Sequence, residues 1–307
     1  MSDFHINHGI GSAFVSNQSI FQKYPTYTQT GNINIGYDAG RFNQGINDIA
    51  IGNYAGSSGQ QNYAIALGTY AGSTGQANNG ISIGLSAGGM SQKQDSIAIG
   101  NTAGFFLQDI NCVSIGNTAG AYYQNQGGIA IGYQSAYNSR RQNAVAIGTY
   151  SGLSNQGAYS VSIGANTGKF NQGSTSIAIG YEVGFNSQGV NSIAIGANSG
   201  YYEQGTNAIA IGTNVAYTGQ GNNAIAIGNN IGFEPSDIQG DNSIAIGNNL
   251  IGSQSSNSIY INGSSDTVTT DPSLSGLFVH PVRQRSVTAG SKQLYYDPTL
   301  KEIYYIP

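Results

Sequence analysis

Charge is scarce in this chain: only 8% of its 307 residues are charged, and the formal net charge is −4. Electrostatic binding to nucleic acid needs a basic surface, so we expect no nucleic-acid partner. No stretch is apolar enough to span a bilayer, which predicts no membrane insertion. The N-terminus, residues 1–5, has no basic segment followed by an apolar one, so we expect no cleavable signal peptide.

Residues that usually carry catalysis are also rare. The chain has one cysteine and three histidines, and the histidines lie outside the repeats described below. His5 and His8 could flank a metal, although two histidines at this spacing are more often incidental. Residues 84–88 (Gly-Leu-Ser-Ala-Gly) fit the formula of a hydrolase nucleophile turn, but they are one copy of the repeat. We therefore predict no enzyme, no cofactor and no metal site.

Glycine, in contrast, is abundant at 46 residues, and its spacing is regular. One glycine recurs at every sixteenth residue from Gly36 to Gly228, and the pattern returns after a three-residue insertion. A fixed period of this length predicts a chain wound into identical coils. The predicted turn glycines are Gly36, Gly52, Gly68, Gly84, Gly100, Gly116, Gly132, Gly148, Gly164, Gly180, Gly196, Gly212, Gly228 and Gly247.

Each glycine closes a three-residue phrase such as Ile49-Ala50-Ile51, which alternates as a β-strand does. We expect the two aliphatic residues to point into the coil. The middle residue is Ala or Ser in thirteen of fourteen coils, which on a solvated face would be unexpected. We interpret it as a small face packed against another chain. The predicted interchain face includes Ala50, Ala66, Ala98, Ala130, Ala146, Ala178, Ala194, Ala210 and Ala226.

Two further positions repeat with the glycine. Glutamine occupies eleven of twelve positions eight residues after it, from Gln44 to Gln220. We expect these amides to stack along the coil axis, either inside the coil or at a chain interface. The residue three after the glycine is Ala in the early coils and becomes Val215, Ile231 and Leu250 later. This drift predicts a roll that widens or loosens toward its C-terminal end.

The period divides the chain into three predicted parts: an N-terminal cap (1–30), a β-roll domain (31–263) and a C-terminal cap or attachment module (264–307). The one interruption, residues 233–238, should form a loop. Two strand-like runs flank a turn at Asp297-Pro298 and predict a β-hairpin.

Aromatic residues recur shortly after the turn glycines, among Asn and Gln. Exposed tyrosines of this kind stack on sugars or anchor proteins, although packing between neighbouring chains is the explanation that we favour. The candidate partner-binding residues are Tyr54, Tyr70, Tyr122, Tyr150, Phe170, Tyr201 and Tyr202.

The phrase at 96–100 (Ser-Ile-Ala-Ile-Gly), with Asn-Ser-Ile-Ala-Ile-Gly at 191–196 and 242–247, resembles the head repeat of trimeric autotransporter adhesins. The fuller Ile-Gly-x-x-Ala-Gly…Gln-Gly form is similar to repeats of phage and giant-virus fibre proteins, as is the segment 276–303. The resemblance implies a left-handed parallel β-roll in which three chains pack side by side. The adhesins' coil is shorter, and their coiled-coil stalk and membrane barrel are not recognisable here.

The sequence therefore predicts an all-β, homotrimeric β-solenoid of about fourteen coils. Its expected role is a structural fibre or adhesin-like surface protein of virion or phage type that mediates attachment. We expect it on the virion surface or as a free extracellular fibre, with a surface glycan or receptor as its candidate partner. Two alternatives remain open: an ice-binding solenoid that exposes the small face, and a carbohydrate-binding or carbohydrate-active β-helix.

Overall fold

The computed structural model describes residues 31–138, 142–282, 294–297 and 302–305. Its described residues form an all-β parallel solenoid of about 15 turns with no helix, as the glycine period predicts. The expected N-terminal cap, residues 1–30, and the histidines His5 and His8 lie outside the described residues.

Strands recur once per coil at the aliphatic phrase. Within the described residues the strands, β1 to β22 in chain order, are Ile33–Ile35, Ile49–Ile51, Ile65–Leu67, Ile81–Ile83, Ile97–Ile99, Val113–Ile115, Ile129–Ile131, Val145–Ile147, Val161–Ile163, Ile177–Tyr181, Asn186–Gln188, Ile193–Ala197, Tyr202–Gln204, Ile209–Val215, Thr218–Gln220, Ile225–Ile231, Ile244–Ile251, Ile259–Asn262, Val268–Thr269, Leu277–His280, Leu294–Asp297 and Glu302–Tyr305.

Seventeen of these strands form one parallel sheet along the solenoid. Residues sixteen apart pair in register, as Ile33 with Ile49, and the three-residue insertion shifts this to Ile225 with Ile244. Strands β11, β13 and β15 form a second, three-stranded sheet. The predicted loop at 233–238 contains no strand. The predicted hairpin is present, because β21 and β22 pair antiparallel.

Each coil turns its corners at residues with positive φ. In the coil that follows Gly52 these residues include Tyr54 (57°), Gly59 (74°) and Tyr63 (62°). Asparagine tolerates this left-handed conformation better than most residues, because its side chain hydrogen-bonds locally. The corner five residues before the turn glycine is Asn in most coils: Asn47, Asn79, Asn111, Asn143, Asn191, Asn207, Asn223 and Asn242. The asparagine content of the chain thus follows from its winding.

The turn glycines mark the closest approach between coils. All fourteen have φ between 123° and 144°, which L side chains rarely adopt. A Cβ on Gly116 would lie 2.6 Å from the carbonyl oxygen and 2.8 Å from the carbonyl carbon of Gly132 in the next coil. Backbone atoms of the next coil therefore occupy the space that a side chain would need.

The orientation of the strand side chains is opposite to the sequence expectation. The small middle residues point into the coil and are fully buried within a single chain, and the flanking aliphatic residues point outward. Ala50, for example, clusters with Ala39 and Ala55 inside the coil. The same correction applies to the proposed interchain residues Ala66, Ala98, Ala130, Ala146, Ala178, Ala194, Ala210 and Ala226. The reason is space: a sixteen-residue coil has an interior too narrow for two large aliphatic side chains in every turn.

The coil changes shape toward its C-terminal end. Strands of the main sheet have three residues through β9, five in β10 and β12, seven in β14 and β16, and eight in β17. The longer strands carry Val215, Ile231 and Leu250 to the interior, where they form one apolar cluster with Tyr260. The interior thus becomes larger and more apolar in the direction that the drift from Ala to Leu predicts.

We expect Gly116→Ala to lower the stability of the solenoid by about 2 kcal/mol or more, because the new Cβ would overlap the Gly132 carbonyl and φ would be strained. Urea denaturation followed by circular dichroism measures the shift. The matched control is Gly75→Asn, since a Cβ there has no neighbour nearer than 3.7 Å and the next coil already carries Ser91 at this corner. Equal destabilisation by both changes would contradict the close-approach argument.

Candidate functional surface

A continuous aliphatic surface runs along the outside of the solenoid. It consists of the first and third residues of each strand phrase, and we call it the aliphatic ladder. Adjacent rows are hydrogen-bonded strands, so they lie about 4.8 Å apart. Most of its members are half-buried, and Ile33, Leu67 and Ile246 expose 43%, 39% and 39% of their surface. Contiguous apolar surface of this length usually marks an interaction site.

The glutamines lie inside the coil, across the interior from the aliphatic ladder. Gln60, Gln76, Gln92 and Gln108 are fully buried. Their main partner is a strand of the same coil: Gln76 Nε2 donates to the carbonyl oxygens of Ile65 (2.8 Å) and Gly80 (2.9 Å). The expected amide-to-amide contacts occur only at some steps, such as Gln92 to Gln108 (3.1 Å). The glutamine therefore acts chiefly as a cross-brace within the coil.

This placement decides which face is available to a partner. The glutamine side chains fill the interior and donate hydrogen bonds to backbone carbonyl groups of the strand. The inner side of the strand therefore has no room for a group from another molecule. The aliphatic side chains on the outer side of the same strand have no such cover among the described residues of the chain. The surface open to another molecule is therefore the aliphatic ladder, and sequence reasoning assigned it to the interior.

The candidate aromatic residues form short rows on the outside of the coil. Tyr54 stacks on Tyr70 with ring centroids 5.0 Å apart, and Tyr150 meets Tyr133 edge-on at 5.3 Å. Tyr122 meets Tyr137 in the same edge-on way at 5.2 Å. Many ring faces therefore contact rings of the same chain, and the outer edges remain exposed.

The longest row runs from Phe170 through Phe185, Tyr201 and Tyr217. Centroid distances are 5.7, 4.8 and 4.7 Å, and Tyr202 lies edge-on to Tyr201 at 4.5 Å. Burial in this row, together with the nearby phenols and the Glu182 carboxylate, raises the pKa of Tyr201. The Tyr201 hydroxyl therefore stays neutral at physiological pH.

Lysine contributes at one end of that row. Lys169 Nζ lies 5.0 Å from the ring centroid of Tyr150, 5.6 Å from that of Phe170 and 5.1 Å from that of Phe185. An ammonium group at this distance from several ring faces is attracted by their quadrupoles. The cation links two aromatic rows into one surface.

Two titratable groups are buried inside the coil, at the position four residues before the turn glycine. Cys112 occupies it in one coil, donates through Sγ to the carbonyl oxygen of Asn125 (3.0 Å), and burial raises its pKa to about 11. Such a thiol is not a nucleophile at neutral pH. In this position it acts as the small interior residue that the sequence suggests.

Asp48 occupies the same position in an earlier coil and is fully buried. Its Oδ1 accepts from the Ala64 amide (3.0 Å), while Oδ2 has no hydrogen-bond partner among the described residues. Burial raises the pKa of Asp48 to about 6. Other coils place serine here, and the hydroxyl donates to the carbonyl three residues earlier, as Ser192 does to Gly189 (2.7 Å).

Over the described ranges, no group of three or more His, Cys, Asp or Glu side chains is arranged to hold a metal ion. Ser86, the middle residue of the hydrolase-like phrase, lies at a positive-φ corner of the coil (53°). None of the residues that the structure describes forms a helix long and apolar enough to cross a membrane.

Comparison with known families supports the resemblance drawn from the repeat phrase. The model of the YadA head domain repeat, the head repeat of trimeric autotransporter adhesins, matches residues 44–71, 186–199 and 239–249. No curated protein and no solved structure matches the chain. The solenoid thus contains repeats of an adhesin-head type, and fold and match together suggest a non-enzymatic structural protein with surface or extracellular exposure.

We expect Asp48→Ser to remove a pH dependence from the stability of the first coils. The folded-state pKa of about 6 is above the ordinary value of 3.8, so the folded chain binds more protons between these values and its stability falls as pH rises through them. A shift of this size corresponds to about 3 kcal/mol. The serine variant should be more stable at pH 7.5, with a flat profile over this window.

Thermal denaturation of both chains at pH 4.5 and pH 7.5 measures the effect. Asp95→Asn, at an exposed corner, is the matched control and should leave the difference between the two pH values unchanged. A wild-type chain that gained stability between pH 4.5 and pH 7.5 relative to Asp48→Ser would contradict the assignment.

Proposed function

We propose that this chain is a structural, adhesin-like fibre that works as a homotrimer, in which three aliphatic ladders face one another. The observation that carries the proposal is the ladder itself. It runs the length of a thin solenoid, every coil contributes to it, and none of the residues that the structure describes covers it. The match to the YadA head domain repeat supports a count of three.

The energetic argument supports self-association over a monomer. The described interior is made of alanine, serine and glutamine, which bury little apolar area per coil. Burying one aliphatic side chain contributes about 1.5–3 kcal/mol. Two such side chains per coil, repeated along the whole solenoid, provide more apolar surface than the interior does. Association with a second and a third copy would bury this surface.

We further propose that the fibre projects from a virion or a cell surface and attaches through its exposed aromatic rows to a glycan or receptor. The similarity of the fuller repeat and of the segment 276–303 to phage and giant-virus fibre proteins supports the virion. The exposed ring edges of these rows, together with Lys169, offer apolar and cationic contacts.

The two alternative functions each require a surface feature that the described residues do not present. An ice-binding solenoid of the kind considered above needs the Ala/Ser face in solvent, and that face lies inside the coil. A carbohydrate-active β-helix needs two carboxylates in one groove. The described grooves near Tyr123 and near Phe278 each contain one, Asp109 and Asp271 respectively.

We expect Ile99→Asp combined with Ile147→Asp to abolish the trimer, because both charges would be buried in the interface without partners. Light scattering after size exclusion should find three 31.8-kDa chains for the wild type and one for the variant. The matched control is Gln126→Glu, an exposed change, which should keep the trimer.

The interior residue between the two aliphatics gives a second, contrasting variant. Ala98 is fully buried inside its own coil, so Ala98→Glu should prevent folding of the coil rather than release folded monomers. Circular dichroism distinguishes the two results. A wild-type monomer, or a trimer that tolerates both ladder aspartates, would overturn the proposal.

A further inference from the structure

A groove of about 210 Å³ lies on the outside of the coils that carry residues 91–125. Its wall includes Ser91, Lys93, Leu107, Asp109 and Tyr123. None of these residues belongs to the row from Phe170 to Tyr217 or to the aliphatic ladder. The groove is therefore a surface to which the function proposed above assigns no role.

The apolar part of the wall occupies an unfavourable corner of the coil. This corner lies seven residues after the turn glycine and is Leu107 (φ 55°) in one coil and Tyr123 (φ 56°) in the next. Leucine and tyrosine rarely adopt this left-handed conformation, and most described coils have small or polar residues here. These are Asn43, Gly59, Gly75, Ser91, Asn155, Asn171, Ser187 and Gly219. The winding of the chain thus does not require a large side chain at this corner.

Leu107 also gains little from its own coil. It exposes 39% of its surface, although its backbone has a conformation that disfavours leucine. Strained residues of this kind cluster at ligand-binding and active sites. We therefore interpret the leucine as part of a binding surface.

The charged part of the wall lies nine residues after the turn glycine. Later coils have glycine there, and a Cβ on Gly157 would lie 2.4 Å from the carbonyl carbon of Gly173. At the groove the same position carries Lys93 and, in the next coil, Asp109. The groove coils thus present charged side chains where the later coils have no side chain.

These two charged groups do not neutralise each other. Neither Lys93 nor Asp109 forms an ion pair with another described residue. Among the described residues, the Asp109 carboxylate accepts one side-chain hydrogen bond, from the amide of Ile110 (2.8 Å). A strong donor and a strong acceptor therefore flank the apolar wall and are available to a ligand.

This combination fits the chemistry of a sugar ring. A pyranose has apolar C–H groups and a rim of hydroxyl groups that both donate and accept hydrogen bonds. Its C–H groups can pack on Leu107 while its hydroxyl groups bond to Lys93 and Asp109. A purely apolar ligand would cover the two charges without partners, and an inorganic ion would make no use of the leucine. The single carboxylate suits the binding of a sugar and not its cleavage, which commonly needs two.

We propose that the groove at Leu107 and Tyr123 binds one neutral hexopyranose unit of a surface glycan. The proposal rests on the proposed attachment function for the kind of partner, and it depends neither on the trimer nor on the aromatic rows. Leucine is then retained at the left-handed corner for binding, at the expense of stability.

Ligand-observed NMR of the full chain tests the binding. The probes are the methyl glycosides of glucose, galactose, mannose and N-acetylglucosamine, with free leucine as a zwitterionic comparison. At least one glycoside should receive saturation from the protein, and free leucine should receive none. Leu107→Asn should lower the affinity by about tenfold or more, because the apolar contact is lost. Asp109→Asn should lower it by about tenfold, because a charged acceptor becomes neutral.

Thermal denaturation of the same variants tests the expense to stability. Leu107→Asn should keep the apparent melting temperature or raise it by up to about 2 °C, since asparagine tolerates positive φ. The matched control is Glu203→Asn, at the corresponding corner of a later coil (φ 52°). This control should be stabilised in the same way and should keep the full affinity for the glycoside. Light scattering should give the wild-type mass for every variant, which separates a loss of binding from a loss of assembly.

Several results would overturn the proposal. They are the absence of binding by all four glycosides, equal affinity of Leu107→Asn and the wild type, and binding of free leucine in place of the glycosides. A melting temperature of Leu107→Asn lowered by more than about 2 °C would mean that packing explains the leucine. Loss of glycoside binding in Tyr202→Ala but not in Leu107→Asn would assign the glycan to the aromatic rows, which would refute the groove and leave the proposed function intact. A monomeric wild type that binds the glycoside through Leu107 would do the reverse.

Discussion

The structure depends on the close approach of one coil's turn glycine to the carbonyl group of the next coil. At Gly116 the space for a Cβ is occupied by the backbone of Gly132, and φ has a value that only glycine adopts easily. Through β9 the strand ends just before this glycine, and from β10 to β17 the strands of the main sheet continue through it. Because the same contact recurs from coil to coil, successive coils stay closely stacked, and the short sixteen-residue repeat limits what their interior holds.

A narrow interior explains the rest of the composition. Alanine and serine fit behind the strand, and glutamine is long enough to reach across to the strand carbonyls. Larger aliphatic residues are left outside, where they form a ladder that a single chain cannot bury. The apolar surface that an ordinary domain keeps in its core thus becomes a surface for association. Three larger aliphatic residues, Val215, Ile231 and Leu250, do lie in the interior, and they do so only where the strands lengthen.

Sequence reasoning found the winding but not the direction in which the strand side chains point. The glycine period, the in-register pairing, the loop at 233–238 and the terminal hairpin all follow from spacing and turn residues. Alternation with a period of two identifies two faces and does not say which one is inside. The constancy of the small residue indicated tight packing correctly. Packing inside the residue's own coil explains this constancy as well as packing against a partner chain does.

One signal in the sequence would have resolved the orientation. A coil that buried Ile49 and Ile51 together with Gln60 would need an interior far larger than sixteen residues with three left-handed corners enclose. The partner for Gln60 is the strand backbone itself, which requires a small side chain such as Ala50 between them. The volume of the coil interior and the hydrogen bonds that glutamine needs thus lead to the same conclusion. Glutamine and alanine lie inside the coil, and isoleucine lies outside.

Positions that are the same in every coil and positions that vary between coils have different roles. Glycine, alanine and glutamine recur because each coil must repeat the same closure. The proposed self-association would explain why the aliphatic ladder recurs along the whole length. The aromatic rows do not recur in this way: they begin and stop at particular coils, as between Phe170 and Tyr217. A residue that winding does not require is free to be selected for contact, so the proposed attachment assigns recognition to the irregular positions on the outside of a regular scaffold.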